Sequence, residues 1–133
     1  MNSLRFVLIG CGRMGHAHGE RLAADSRASL VGFFDADPAV ALQLRDRFAP
    51  AAPVFESVED AFSKSDADAV VICTPTTAHA EQVQAATCHN LHVLCEKPLG
   101  AHRDEILDLV NLSHSRSELH FMLGYQRRFW AIY

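Results

Sequence analysis

The sequence predicts an α/β domain: a doubly wound parallel sheet of about six strands with helices on both faces. Three observations predict it. Short apolar runs, free of charge but for Arg5, alternate about six times with longer stretches that suit helices. Strands buried on both faces read as continuous apolar runs, and helical crossovers are what join them in parallel. A glycine-rich turn follows the first run, and the 133 residues suffice for two βαβαβ halves around one core.

Taken in order, residues 4–9 form an apolar run closed by Gly10, the first expected strand. Residues 13–25 hold no proline and are expected as a helix. Residues 30–34 are the second strand, ending before Asp35. Asp37-Pro38 has the form of a helix start, with an N-cap acid and proline in the first helical position. Val40, Leu44 and Phe48 give that helix an apolar stripe, and Pro50 and Pro53 end it. Val54-Phe55 is at best a short strand, and Ser57-Val58-Glu59-Asp60 has the look of a capping box opening a brief helix. Further strands are expected at 69–73, 91–95 and 120–125. Helices are expected at 78–89, with Asn90 as a left-handed cap, and at 104–113, followed by a loop over 113–118.

Composition excludes several classes. Hydrophobic residues make up 49% and charged residues 21%, too apolar for a disordered chain. Twelve Lys and Arg against sixteen Asp and Glu give a net charge of −4, so no broad cationic face for nucleic acid or anionic lipid is expected. No stretch reaches the roughly 20 apolar residues of a membrane helix. The four apolar residues 6–9 are too few for a signal-peptide core, so a cytoplasmic protein is expected. Cys11, Cys73, Cys88 and Cys95 contain no CxxC pair and are expected as reduced, space-filling thiols. The histidines show no metal-ligand spacing, and no metal is expected.

Gly10-Cys11-Gly12-Arg13-Met14-Gly15 fits GxGxxG and lies between the first strand and the first helix. Gly10 permits the tight turn, Gly12 lets a pyrophosphate approach the backbone, and Gly15 lets helix and strand pack closely. The helix N-terminus supplies free N–H groups and partial positive charge. Asp35 follows Gly15 by twenty residues, where a carboxylate accepts hydrogen bonds from both hydroxyls of an adenosine ribose and repels a 2′-phosphate. No Lys or Arg follows it in residues 36–39, so NAD is expected over NADP. Cys11 lies in this loop, where positive potential would lower its pKa, although packing is its expected role.

Three further segments lie at expected strand ends: Thr74-Pro75-Thr76-Thr77-Ala78-His79, Cys95-Glu96-Lys97-Pro98-Leu99 and Gly124-Tyr125-Gln126-Arg127-Arg128-Phe129. With the glycine loop and Asp35, they make the chain resemble the Gfo/Idh/MocA family of NAD(P)-dependent dehydrogenases, nearest to its inositol 2-dehydrogenase-like members. The resemblance spans residues 4–129. It implies that Thr74, Pro75, Thr76 and His79 line the cofactor path, and that Glu96, Lys97 and Pro98 sit beside the nicotinamide. Arg13 and Met14 belong to the cofactor loop. Lys97 is the implied catalytic residue: its ammonium can hydrogen-bond a substrate hydroxyl and stabilise alkoxide character, and the residue can pass the proton on where burial and the nearby nicotinamide charge lower its pKa. Arg127 is implied near the substrate. The Lys97-Pro98 bond can be cis or trans, and the sequence leaves that open.

Residues 1–125 are expected as the dinucleotide-binding domain, and 126–133 as the start of a connection to a second, substrate-binding domain. The resemblance implies that this second domain carries most of the substrate pocket and an acid–base histidine. The chain is thus expected to bind NAD and to turn over little alone, with a polyol or sugar as substrate only alongside that domain. Two other readings stay open: a non-enzymatic nucleotide module or partner subunit, and a site for another adenosine ligand such as S-adenosylmethionine. Phe129, Trp130, Ile132 and Tyr133 form an apolar cluster, from which a homo-oligomer is expected.

Overall fold

In the computed structural model, which describes residues 3–131, strand and helix alternate as the apolar runs predict. β1 (Leu4–Ile9), α1 (Arg13–Ala24), β2 (Ala28–Phe34), α2 (Pro38–Phe48) and α3 (Val58–Lys64) come first. β3 (Ala69–Ile72), α4 (Thr76–Cys88), β4 (His92–Cys95), α5 (Arg103–Ser115) and β5 (Phe121–Leu123) follow, and a 3₁₀ turn (Gln126–Phe129) comes last. All four strand pairings are parallel, in the order β2-β1-β3-β4-β5. Val54 adds one isolated parallel bridge to Phe33, on the outer side of β2. The short strand expected there is therefore a single rung beyond a five-stranded sheet.

The period-two alternation of the strands builds two cores. Val7, Ile9, Val70, Ile72, Val93 and Cys95 point to one face, where they meet Phe62 of α3, Val83 of α4 and Leu109 of α5. Leu8, Phe33 and Val71 point to the other, against Ala41 and Leu44 of α2. Both faces are thus apolar and helix-covered, which is why the strands carry no alternating polar residues. Among the described residues, no helix is long and apolar enough to cross a membrane.

The start signals of α2 and α3 act as expected. Asp37 accepts the Ala39 N–H at 2.9 Å, and Ser57 Oγ accepts the Asp60 N–H at 3.0 Å. Asn90 takes the left-handed conformation at φ 58° beyond α4.

Two helices are longer than expected. α4 begins at Thr76, directly after Pro75 as N-cap, so the two threonines form its first turn. α5 runs from Arg103 to Ser115. Glu105 caps its start by accepting the Ala101 and His102 N–H groups. Its C-terminal serines Ser113 and Ser115 donate to the carbonyls of Val110 and Leu112. The last strand is shorter than expected, because a tight turn from Tyr125 N–H to Leu123 O ends it. Ile132 and Tyr133 of the expected apolar cluster lie outside the described residues.

Candidate functional site at the carboxyl edge of the sheet

Strand register places the site. Ile9 is paired with Phe34 and with Ile72, Ile72 with Cys95, and Cys95 with Leu123. The five strands thus end level. The next residue of each, Asp35, Gly10, Cys73, Glu96 and Gly124, falls in one row along the carboxyl edge. Backbone bonds carry the ladder into that row: Gly10 N–H to Phe34 O, Cys73 N–H to Ile9 O, Glu96 N–H to Ile72 O and Gly124 N–H to Cys95 O. Strand order reverses between β1 and β3, the place where such sheets open a crevice for ligands.

The glycine loop lies in this crevice. Gly10 has φ 87°, and a Cβ there would come within 2.6 Å of the Cys73 backbone. A Cβ on Gly15 would lie 2.1 Å from the Gly10 carbonyl oxygen. Gly12 differs, since a Cβ there would meet nothing within 4 Å. Its lack of a side chain therefore serves no contact inside the protein. Gly12 is also the N-cap of α1, and no side chain caps the helix. Free N–H groups and the positive end of a twelve-residue helix thus face an open cradle, which fits a diphosphate.

Asp35 braces the loop. Its Oδ2 accepts the Cys11 N–H at 2.7 Å, and its Oδ1 accepts the Asp37 N–H at 2.9 Å. Each oxygen keeps lone-pair capacity for a further donor such as a sugar hydroxyl. Cys11 itself is buried, and burial, aided by the Asp35 charge, pushes its thiol up to about 12. The lowering expected from loop potential is thus reversed, because desolvation outweighs it. Cys73 and Cys95 are pushed up by burial as well, and all four thiols are free.

Beside the loop is a cavity of about 530 Å³ lined by Arg13, Met14, Thr74, Glu96, Lys97 and Arg127, with Cys73, Tyr125 and Gln126. Lys97 is exposed in it, and its bond to Pro98 is cis. Three cations therefore converge where the first helix, the β4 end and the terminal turn meet. Arg127 also lies with its guanidinium 5.6 Å from the Trp130 ring.

Of the other expected site residues, Thr74 lines the cavity, while Pro75, Thr76, His79 and Pro98 stand outside its lining. Thr74 Oγ1 donates to Gln82 of α4. Pro75 and Thr76 open α4. His79 is 1% exposed. Its Nδ1 lies 2.7 Å from Pro98 O and its Nε2 2.9 Å from Thr74 O. It ties the β3 loop to the β4 loop from behind and presents no free ring edge to the cavity. Among the described residues, no cluster of three or more His, Cys, Asp or Glu could hold a metal ion.

Sequence reasoning missed His18, whose Nε2 lies 2.8 Å from Oε1 of buried Glu96. The signal was present: positions 15, 18, 19 and 22 fall on the sheet-facing stripe of α1, and a carboxylate ending an apolar strand needs a partner.

The model of Gfo/Idh/MocA, an oxidoreductase family with an NAD-binding Rossmann fold, matches residues 4–125. An inositol 2-dehydrogenase of Rhizobium meliloti is 32% identical over 128 residues, covering 96% of this chain and 37% of that protein. The rhizopine catabolism protein MocA of Rhizobium meliloti is 31% identical over 129 residues, 97% of this chain and 39% of that protein. Among solved structures, scyllo-inositol dehydrogenase from Lactobacillus casei, with bound NAD(H) and scyllo-inositol, superposes with a TM-score of 0.92. It is 28% identical, with 98% of this chain and 38% of that chain covered. The chain thus spans less than two fifths of the length of these relatives.

Proposed function

The chain belongs to the Gfo/Idh/MocA oxidoreductase family, as its NAD-binding Rossmann domain, and from that premise we propose that it holds NAD for hydride transfer between nicotinamide and the hydroxyl-bearing carbon of a polyol or sugar, which becomes a carbonyl carbon as the hydroxyl proton leaves. One observation carries the proposal. The open cradle at Gly12, the Asp35 carboxylate and the Lys97 cavity all lie along the single level edge of the sheet. Inositol dehydrogenases among the relatives support the polyol class.

Bound nicotinamide supplies the hydride acceptor or donor. The chain's own residues do the rest. Gly10, Gly12 and Gly15 shape the diphosphate cradle, with the N–H groups of α1 as donors and Arg13 and Met14 at its rim. Asp35 receives the adenosine ribose and disfavours a 2′-phosphate by charge repulsion, so NAD is preferred over NADP. Thr74 lines the cavity, Pro75 and Thr76 open α4 beside it along the cofactor path, and His79 backs the Thr74 carbonyl. Glu96, Lys97 and Pro98 form the nicotinamide end. Lys97 donates a hydrogen bond to the reacting hydroxyl oxygen and stabilises its developing negative charge. Arg127 stands at the substrate side.

Hydride transfer also needs the substrate held close to the nicotinamide, and proximity supplies a large share of the rate. The cavity walls among the described residues come from the amino end of α1, the sheet edge and the terminal turn, and leave it open on the substrate side. Turnover by the chain by itself is therefore expected to be slight. Free thiols suit a reducing compartment, in keeping with a cytoplasmic location. Self-association through the exposed aromatic cluster belongs to the same proposal.

Calorimetric titration of NAD, NADP and S-adenosylmethionine into the purified chain tests this reading. NAD is expected to bind more tightly than NADP by about tenfold or more, equivalent to at least ~1.4 kcal/mol. Asp35→Ser is expected to narrow that gap. Equal NAD and NADP affinities would overturn the role of Asp35, and tighter S-adenosylmethionine binding would overturn the dehydrogenase reading.

A further inference from the structure

Glu96 is 7% exposed, and three elements meet on its carboxylate. Its Oε1 lies 2.8 Å from His18 Nε2 of α1, and its Oε2 accepts the Lys97 N–H at 3.2 Å. Gly124, just beyond β5, packs so closely that a Cβ there would lie 2.8 Å from Oε1. Glu96 also lines two cavities at once: the one holding Lys97, and a second beside His18, Met122 and Phe129. With Met14 and Gln126, which also line both, it forms the partition between them.

We propose that His18 is a positioning residue for the nicotinamide end of the site, acting through Glu96 on Lys97. The inference rests on the cofactor reading above and extends it to a residue that touches neither cofactor nor substrate. A carboxylate buried at a strand end is stable only when its oxygens are hydrogen-bonded. His18 supplies that bond from the same helix whose first turn forms the diphosphate cradle. Five residues separate His18 from Arg13, about 7.5 Å of helix rise at 1.5 Å per residue. One rigid helix therefore sets both the diphosphate position and, through Glu96, the backbone from which Lys97 extends. Without His18, Glu96 turns toward water in either cavity and the Lys97 N–H loses its acceptor. The diphosphate cradle, built from Gly10 to Gly15, keeps its shape.

A purely structural role for the pair predicts equal losses for every ligand. A positioning role predicts a selective loss at the nicotinamide end. The test is titration of the chain with NADH and with ADP-ribose, which lacks the nicotinamide, in wild type, His18→Leu and His18→Gln. His18→Leu is expected to weaken NADH about tenfold while ADP-ribose changes less than about twofold. His18→Gln, whose amide reaches as far as Nε2, is expected to recover most of the NADH affinity. Should His18→Leu lose its cooperative melting transition, His18→Asn carries the same comparison, because its amide falls short of Glu96. Equal losses for both ligands, no loss for either, or a wild type that binds NADH no better than ADP-ribose would overturn the inference and leave the diphosphate cradle standing. A wild type that binds neither ligand would overturn the cofactor reading, and this inference with it.

Discussion

Gly12 and Gly15 lie three residues apart in one loop, yet a methyl group added at each has opposite consequences. At Gly15 the new carbon would sit 2.1 Å from the Gly10 carbonyl oxygen, so the helix must back away from the strand. Gly15→Ala is expected to cost about 2–3 kcal/mol of stability, in the range of overpacked cores. At Gly12 the carbon meets no protein atom, and the backbone is already extended. Gly12→Ala is expected to cost about 1 kcal/mol or less, since alanine is only a poorer N-cap than glycine. It is also expected to weaken NAD binding by about tenfold, because the methyl group occupies the approach to the helix N-terminus. Urea melts and NAD titrations on the two variants check both halves. A Gly12→Ala protein with unchanged NAD affinity would remove the cradle from its assigned place. The tight turn at Gly10 and the close packing at Gly15 were legible in the sequence because both follow from the spacing of the loop. The brace that Asp35 provides to Cys11 N–H was not, since it depends on how far the β2 end reaches toward the loop.

At the scale of elements, the amino ends of strands β1 and β3 are tied by the Asp68 carboxylate as well as by the ladder, with Asp66 also 3.3 Å from the Arg5 guanidinium. Asp68 accepts the Arg5 N–H at 2.9 Å and takes the Arg5 guanidinium with both oxygens, at 3.1 and 2.8 Å. The Arg5 hydrogen bond, with its charge, holds the Asp68 carboxyl below the usual range. A depressed carboxylate pKa contributes stability that is fully present above the unfolded value near 3.9 and is lost as pH falls through the folded value below it. Its side chain is 35% exposed, so solvent screening cuts the charge-assisted bond to about 1 kcal/mol. Asp68→Asn is expected to lose about that much at pH 7, with the gap to wild type closing at acid pH. Chemical denaturation at both pH values measures it, and a gap independent of pH would show that charge plays no part.

The elements themselves were readable because apolar runs and helix caps are local signals. Asp37-Pro38 and Ser57 each cap the helix that their type and position announce. The errors fall where tertiary contacts decide. Thr76 and Thr77 look like loop residues after a proline, but α4 packs on β4 and starts there. The serines of α5 look like a break, but they stay helical because Arg116 anchors the helix end to Thr87 O and Asn90 Oδ1. His18 escaped for a related reason: its partner stands seventy-eight residues away in sequence.

For the whole molecule, the two faces of the sheet are unequally covered. On one, α3, α4 and α5 pack across the core strands. On the other, α1 and α2 cover β1, β2 and β3, while the β4–β5 end is left to the terminal turn. There Met122 is 51% exposed, Phe129 73% and Trp130 49%, around a cavity that also exposes Leu94 and Met14. β5 is moreover an edge strand, paired on one side only among the described residues. An apolar patch beside an open strand edge is a surface that associates. Because that patch adjoins the Glu96 partition, a neighbour seated on it would shield the buried pair from water. The occupant expected in solution is a second copy of the chain. Sedimentation velocity at about 100 μM is expected to show a dimer or larger species that dissociates on dilution, as mass action requires. Met122→Lys combined with Phe129→Asp is expected to give a monomer with an unchanged melting temperature, since both side chains are exposed and carry little of the core. A wild-type chain that sediments as a single monomer at that concentration would show that the patch needs a different cover.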